Sequence, residues 1–145
     1  MNIFISCVSK KQSFTCKASE MYVSDLFIKS LNYAKTLNGH IRILSAKYGV
    51  LELNDLIDPY NLTLNSMKDY ERKEWAHKVI NQLKEKKIDF TEKTIFLVGE
   101  NYRKYLIPYF SNYEIPIEGL PIGKQLSFYK SKLIESSDIQ KNILW

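Results

Sequence analysis

The sequence predicts an α/β fold: a single three-layer α/β/α domain with a mainly parallel sheet of four or five strands. Three observations predict it. Short β-rich apolar runs alternate with stretches whose apolar residues recur at helical spacing. Each β-rich run ends abruptly in polar, glycine or proline residues. The 145 residues suffice for one core, and no repeat, low-complexity tract or linker divides them, so residues 1–145 read as one domain.

Asn2 to Cys7 is the first predicted strand, and polar Val8 to Ser19 follows with Lys10, Lys11 and Lys17. Phe27, Leu31, Ala34 and Leu37 share one face of a helix over Ser24 to Asn38, which Asp25 favours at its start and Gly39 stops. Ile41 to Leu44 is the second strand, and Val50 to Leu64 reads as irregular around Asp58-Pro59-Tyr60. Ser66-x-x-Asp69 resembles a capping box opening a helix to about Lys86, with Trp75, Val79 and Leu83 on one face. Thr94 to Val98 is the third strand, Asn101 to Phe110 a short helix, Tyr113 to Ile117 a fourth strand, and Gly123 to Ile134 a last amphipathic helix. Ile3, Ile5, Ile43, Leu44, Phe96 and Leu97 are expected in the core.

No apolar run approaches membrane-spanning length. The start, MNIFISCVSKK, lacks a basic region before an apolar stretch, so no secretory signal is expected and a cytoplasmic location is. Cys7 and Cys16 are too few for a disulfide framework and are expected as free thiols. With His40 and His77 the only histidines, neither a metal site nor a cofactor is expected. The net charge of +5 is spread along the chain and accommodates a polyanionic partner without requiring one.

In parallel sheets ligands bind outside the carboxyl ends of the strands. Four segments fall there: Ser6-Cys7-Val8, Ser45 to Gly49, Gly99 to Tyr102, and Pro116 to Gly119. Cys7, Ser45, Lys47, Gly99 and Gly119 are expected to line one concavity. ILSAKYG, Ile43 to Gly49, is the most informative of these stretches, because Ser45, Lys47 and Tyr48 put a hydroxyl, a cation and a phenol at one strand tip. The plain alternative is a strand ending in a glycine turn with a solvated lysine. Lys10 and Lys11 can hold a phosphate or carboxylate, or simply solvate a loop. Tyr22 and Tyr60 can stack on a base or serve as packing residues. Asp58 and Glu100 are the best-placed carboxylates. Asp58 precedes a proline, and Glu100 sits at a helix entrance where it also compensates the dipole. Cys7 has no histidine nearby in sequence to activate it as a nucleophile. Gly119-x-x-x-Gly123-Lys124 lacks the spacing of a phosphate-binding P-loop.

Several stretches together resemble the small bacterial and phage proteins grouped as domain of unknown function 6884. They are the strand ending in Cys7 with Lys10 and Lys11 after it, and Ala18 and Tyr22 leading to Phe27. ILSAKYG, Pro59 to Leu64 (PYNLTL), Trp75-Ala76 and Gly99 with Tyr102 follow, then Pro116 to Leu120 and Gly123 to Leu126. The family usually reads Pro-Tyr-Asp where this chain has Pro59-Tyr60-Asn61. The resemblance implies an α/β domain found in phage and DNA-modification contexts, with Gln125 among the binding residues. The chain is also similar to nucleobase-glycosylase-type folds. Asp58-Pro59-Tyr60 resembles the water-activating motif of uracil-DNA glycosylases, although there the motif follows the first strand and here the second.

The expected function is action on a nucleotide or nucleic-acid base, cleaving an N-glycosidic bond through an oxocarbenium-like state. Asp58, Glu100 and Lys47 are the candidate catalytic residues. Ser6, Cys7, Lys10, Lys11, Tyr22, Ser45, Tyr48, Tyr60, Gly99, Tyr102, Gly119 and Gln125 are the candidate ligand-binding residues. The alternative is a non-catalytic module that sequesters a signalling nucleotide, which needs the tyrosines and lysines but no carboxylate. A DNA-binding structural protein would need a basic face, and no basic cluster stands out beyond the lysines named.

Overall fold

A computed structural model describes residues 1–6 and 10–143, with side chains described to residue 137. Along the chain it forms β1 (Asn2–Ser6), β2 (Cys16–Lys17), α1 (Ala18–Met21), α2 (Asp25–Lys35) and β3 (His40–Ser45). There follow β4 (Gly49–Glu52), β5 (Leu56–Ile57), α3 (Asp69–Glu85), β6 (Thr94–Leu97), α4 (Glu100–Arg103), β7 (Tyr113–Glu114) and α5 (Ile122–Ile143). Single 3-10 turns lie at Leu64–Ser66 and Ile107–Tyr109.

The sheet has five strands in the order β4-β3-β1-β6-β7, and β2 pairs with β5 in a separate two-stranded ribbon. β1 runs parallel to β3 and to β6, and β6 parallel to β7. The carboxyl ends of these four strands therefore share one end of the sheet, as the alternation of strands and helices predicts. β4 is antiparallel to β3.

Ile3, Ile5, Ile43, Leu44, Phe96 and Leu97 are all buried. The pleat sorts the central strand between two apolar clusters. Ile3 and Ile5 pack with Phe27, Leu31 and Ala34 of α2 and Tyr129 of α5. Phe4 packs with Trp75, Val79 and Leu83 of α3. A strand apolar on both faces is what Ile3-Phe4-Ile5 requires, because each such side chain stabilises by about 1.5–3 kcal/mol when fully buried. Among the described residues no helix is long and apolar enough to cross a membrane.

Several boundaries differ from the sequence reading. The segment expected to be irregular, Val50 to Leu64, contains β4 and β5. Gly49 adopts φ +76°, which folds the chain back and pairs Val50 with Leu44 and Leu51 with Ile43. Ser66 does not cap α3; its hydroxyl donates to the Thr63 carbonyl at 3.0 Å. The helix starts at Asp69, and Glu71 reaches back to accept from the Lys68 amide at 3.0 Å. The helix expected over Asn101 to Phe110 splits into α4 and a 3-10 turn at Pro108, which has no amide to donate. β7 ends at Glu114 rather than Ile117, because Pro116 cannot join a ladder and Glu118 turns back to the Ile115 carbonyl. α5 runs on past Ile134 to Ile143.

Candidate functional site

β6 leaves the sheet through Val98 into Gly99, whose carbonyl accepts from the amides of Tyr102 and Arg103 at 3.0 and 3.2 Å. This turn sets Glu100 and Asn101 beside Ser6, at the end of β1. Across the gap lie one face of α2, carrying Leu26 and Ser30, and one face of α5, carrying Ile122, Gln125 and Tyr129. Together they line a solvent-open cavity of about 280 Å³.

Leu26, Leu97 and Ile122 give the cavity apolar walls, and Asn65, Asn101, Gln125, Ser6 and Glu100 give it polar groups. Asn101 donates to the Asn65 side-chain oxygen at 2.8 Å, which fixes both amides. Gln125 donates to the Leu120 carbonyl at 2.8 Å and keeps its own oxygen as an acceptor. Tyr102 is a wall and not a stacking platform. It is buried, its ring meets Trp75 edge-on at 5.5 Å, and its hydroxyl accepts from the Leu64 amide at 3.4 Å.

A second cluster forms at the tip of β3. The Ser45 hydroxyl is fully buried and accepts from the amides of Lys47 and Tyr48 at 3.2 and 3.0 Å. It donates to the Tyr60 hydroxyl at 3.0 Å, which bonds that of Tyr22 at 2.7 Å. The Lys11 ammonium lies 4.7 Å from the centre of the Tyr60 ring, and Tyr48 meets that ring edge-on. Tyr48 clamps Asp58, donating to its carbonyl and accepting from its amide, both at 3.2 Å. The residue mix of ILSAKYG thus builds a turn. Ser45 closes it, Trp75 donates to the Ser45 carbonyl at 2.9 Å, and Lys78 donates to the Lys47 carbonyl at 2.8 Å.

Most of the predicted site residues fall in these two places. Ser6, Gly99, Glu100, Tyr102 and Gln125 line the cavity. Lys11, Tyr22, Ser45, Tyr48, Tyr60 and Asp58 belong to the tyrosine cluster. Of the five residues expected to share one concavity, Gly99 lines this one and Ser45, Lys47 and Gly119 do not. Cys7 lies outside the described residues. The Asp58 carboxylate accepts from the Thr15 hydroxyl. The Lys47 ammonium is exposed, 5.1 Å from the centre of the Tyr48 ring. Lys10 is exposed, and its carbonyl accepts from the Val23 amide at 3.0 Å. Gly119 holds φ +75° in the turn after β7. Among the described residues no ion pair joins Asp58 or Glu100 to Lys10 or Lys47; the pairs lie elsewhere, as at Lys29–Asp25 and Lys93–Glu114. Cys16 is a free, buried thiol. Among the described residues no group of three or more His, Cys, Asp or Glu could hold a metal ion.

Leu26, Ser30, Asn65, Asn101, Ile122 and Tyr129 were not legible as cavity residues. Leu26 and Ser30 stand four apart, and Ile122, Gln125 and Tyr129 three and four apart, so helical spacing places each group on one face. That spacing does not reveal what the face meets.

The model of a family of unknown function, DUF6884, matches residues 3–131. No curated protein matches the chain.

Proposed function

The chain belongs to that family of unknown function, and from its geometry we propose that the cavity binds a nucleobase or nucleotide and that Glu100 supports cleavage of its N-glycosidic bond. One observation carries this reading. Glu100 stands in the lining of a cavity whose other polar groups are amides and hydroxyls and whose apolar walls combine Leu26, Leu97 and Ile122 with Tyr102 and Tyr129. Amides complement the donor and acceptor edge of a base, and apolar walls cover its faces. A volume of about 280 Å³ lies near the lower end for small-molecule sites, roughly 300 Å³, and suits a base with its sugar. In this reading the domain is three-layered, with α2 and α5 on one face of the sheet and α3 on the other.

The chemistry asked of Glu100 is modest. The C1′–N bond breaks with its electron pair leaving on the base, which takes up a proton from solvent. Water adds to C1′, and the carboxylate accepts the water's proton and opposes the positive charge on the sugar. Asp58, engaged with Thr15 and absent from the lining, is not assigned this role.

The test is base release. Purified protein is incubated with nucleosides, nucleotides and DNA, and free base is quantified by chromatography. The parent should release base; Glu100→Gln should release none yet still bind, because the charge acts in the transition state. No release from a ligand that demonstrably binds would sink the glycosidic reading. It would leave the second one, a module that sequesters a nucleotide without cleaving it. A specific observation favours that alternative: Glu100 is the sole carboxylate among the described lining residues, whereas glycoside hydrolysis usually employs two.

A further inference from the structure

The cavity floor lies where α5 packs on α2. Tyr129 is 1 % exposed there, and its ring forms a triangle with those of Tyr33 and Phe128, each with its centre 5.6 Å away. It lines the cavity. Every fully buried side-chain nitrogen or oxygen among the described residues has a hydrogen-bond partner. The Tyr129 hydroxyl has no partner among the described residues. The trace of surface that this residue keeps is therefore at its oxygen, on the cavity wall. A hydroxyl in the cavity lining, bonded to no group among the described residues, is placed to meet a ligand.

The surroundings define what it would meet. Ser30 is 2 % exposed and spends its proton on the Phe27 carbonyl at 2.8 Å, so toward the cavity its oxygen is an acceptor. Gln125, tied through its nitrogen to Leu120, offers a second acceptor. Burial pushes the Tyr129 phenol far above its ordinary range, and neighbouring Tyr33 adds to this. Tyr129 thus stays a neutral hydroxyl at any physiological pH. One donor with acceptors in the same lining complements a lactam edge, a carbonyl oxygen beside a ring N–H.

We propose that Tyr129 is the specificity-determining residue of the cavity, donating a hydrogen bond to the carbonyl oxygen of a lactam base of the hypoxanthine or uracil type. The inference rests on the reading of this cavity as a nucleobase site. Sites that hydrogen-bond a ligand group reject analogues lacking it, because the protein partner is then left unpaired.

The experiment compares matched probes by calorimetry. Inosine is set against purine riboside, and uridine against pyrimidin-2-one riboside, on the parent and on Tyr129→Phe, with melting curves to verify the fold. The parent should prefer one lactam over its partner by about tenfold, the scale of a single hydrogen bond. Tyr129→Phe should cut that preference to about twofold and leave the affinity for the deoxo analogue unchanged. A parent without lactam preference overturns the proposal whether or not the variant folds. An equal preference in parent and variant overturns the role of Tyr129 and leaves the nucleobase site standing. Binding of no nucleoside at all overturns the nucleobase site, and this proposal with it.

Discussion

The Ser45 hydroxyl donates to the Tyr60 hydroxyl at 3.0 Å, and this bond ties the tip of β3 to the segment that follows β5. Tyr60 passes the connection to Tyr22, at the end of α1, through a 2.7 Å contact between hydroxyls. Three segments distant in sequence meet at one phenol, which makes Tyr60 a structural keystone of the strand tips.

Tyr60→Phe removes the hydroxyl shared by both bonds and leaves the fully buried Ser45 hydroxyl without this acceptor. At about 1 kcal/mol per hydrogen bond, the expected loss is about 1–3 kcal/mol. Urea unfolding measures it, and an unchanged midpoint would show that the tyrosine cluster contributes no stability. Nucleoside affinity should stay within about twofold, since Tyr60 is outside the cavity lining.

Gly49→Ala should destabilise more than Gln82→Ala. A Cβ at Gly49 would stand 2.2 Å from the Gln82 side-chain oxygen, in a backbone at φ +76°. That oxygen accepts from the Val50 amide at 2.8 Å, and the Gln82 nitrogen donates to the Tyr48 carbonyl at 3.0 Å, so Gln82 pins α3 to the β3–β4 hairpin. The left-handed backbone costs about 1–2 kcal/mol and the two displaced bonds about 1 kcal/mol each, for a loss of about 3–4 kcal/mol. Gln82→Ala forfeits only the bonds. Denaturation midpoints of the two variants decide the order.

Glu52 couples stability to acidity. Burial opposes its charge, but hydrogen bonds and charge from His40, Arg42 and Lys86 outweigh that opposition and hold its carboxyl below the ordinary value of 4.5. His40 is at 2.8 Å, Arg42 at 3.2 Å and Lys86 at 3.3 Å. A carboxyl whose folded value is depressed contributes stability that is fully present above its unfolded value. That contribution is lost as pH falls through the folded one. The stability gap between the parent and Glu52→Gln should therefore narrow as pH falls below 4.5. Urea titrations across that range measure it, and a gap that widens on acidification would contradict the assignment.

Asp58→Asn separates the two carboxylates singled out in the sequence. It should leave base release within about twofold of the parent, because Asp58 faces Thr15 and not the cavity. Glu100→Gln should abolish release. Loss of release in Asp58→Asn alone would move the chemistry to the tyrosine cluster.

Local chemistry made part of this legible. Ile3-Phe4-Ile5 reads as a strand buried on both faces because neither face of the pleat can be left to water. Gly99 and Glu100 mark a strand tip entering a helix because the change from apolar to polar residues falls where the ladder ends. Ser45 has a structural part as well. Its hydroxyl accepts from two amides of the turn before Gly49, a need the sequence does not display.

By itself the sequence determined periodicity, and with it the parallel strands β1, β3, β6 and β7 whose tips gather at one end, and the main helices; β2, β4 and β5 it did not show. Only the tertiary structure decided which polar groups face one another there. Leu26 and Ser30 of α2 and Gln125 and Tyr129 of α5 lie on ordinary amphipathic stripes, nearly a hundred residues apart. They become one cavity wall because both helices dock on the cluster that holds Ile3 and Ile5. Helical spacing records that a face is covered, and the docking of one helix on another determines what covers it.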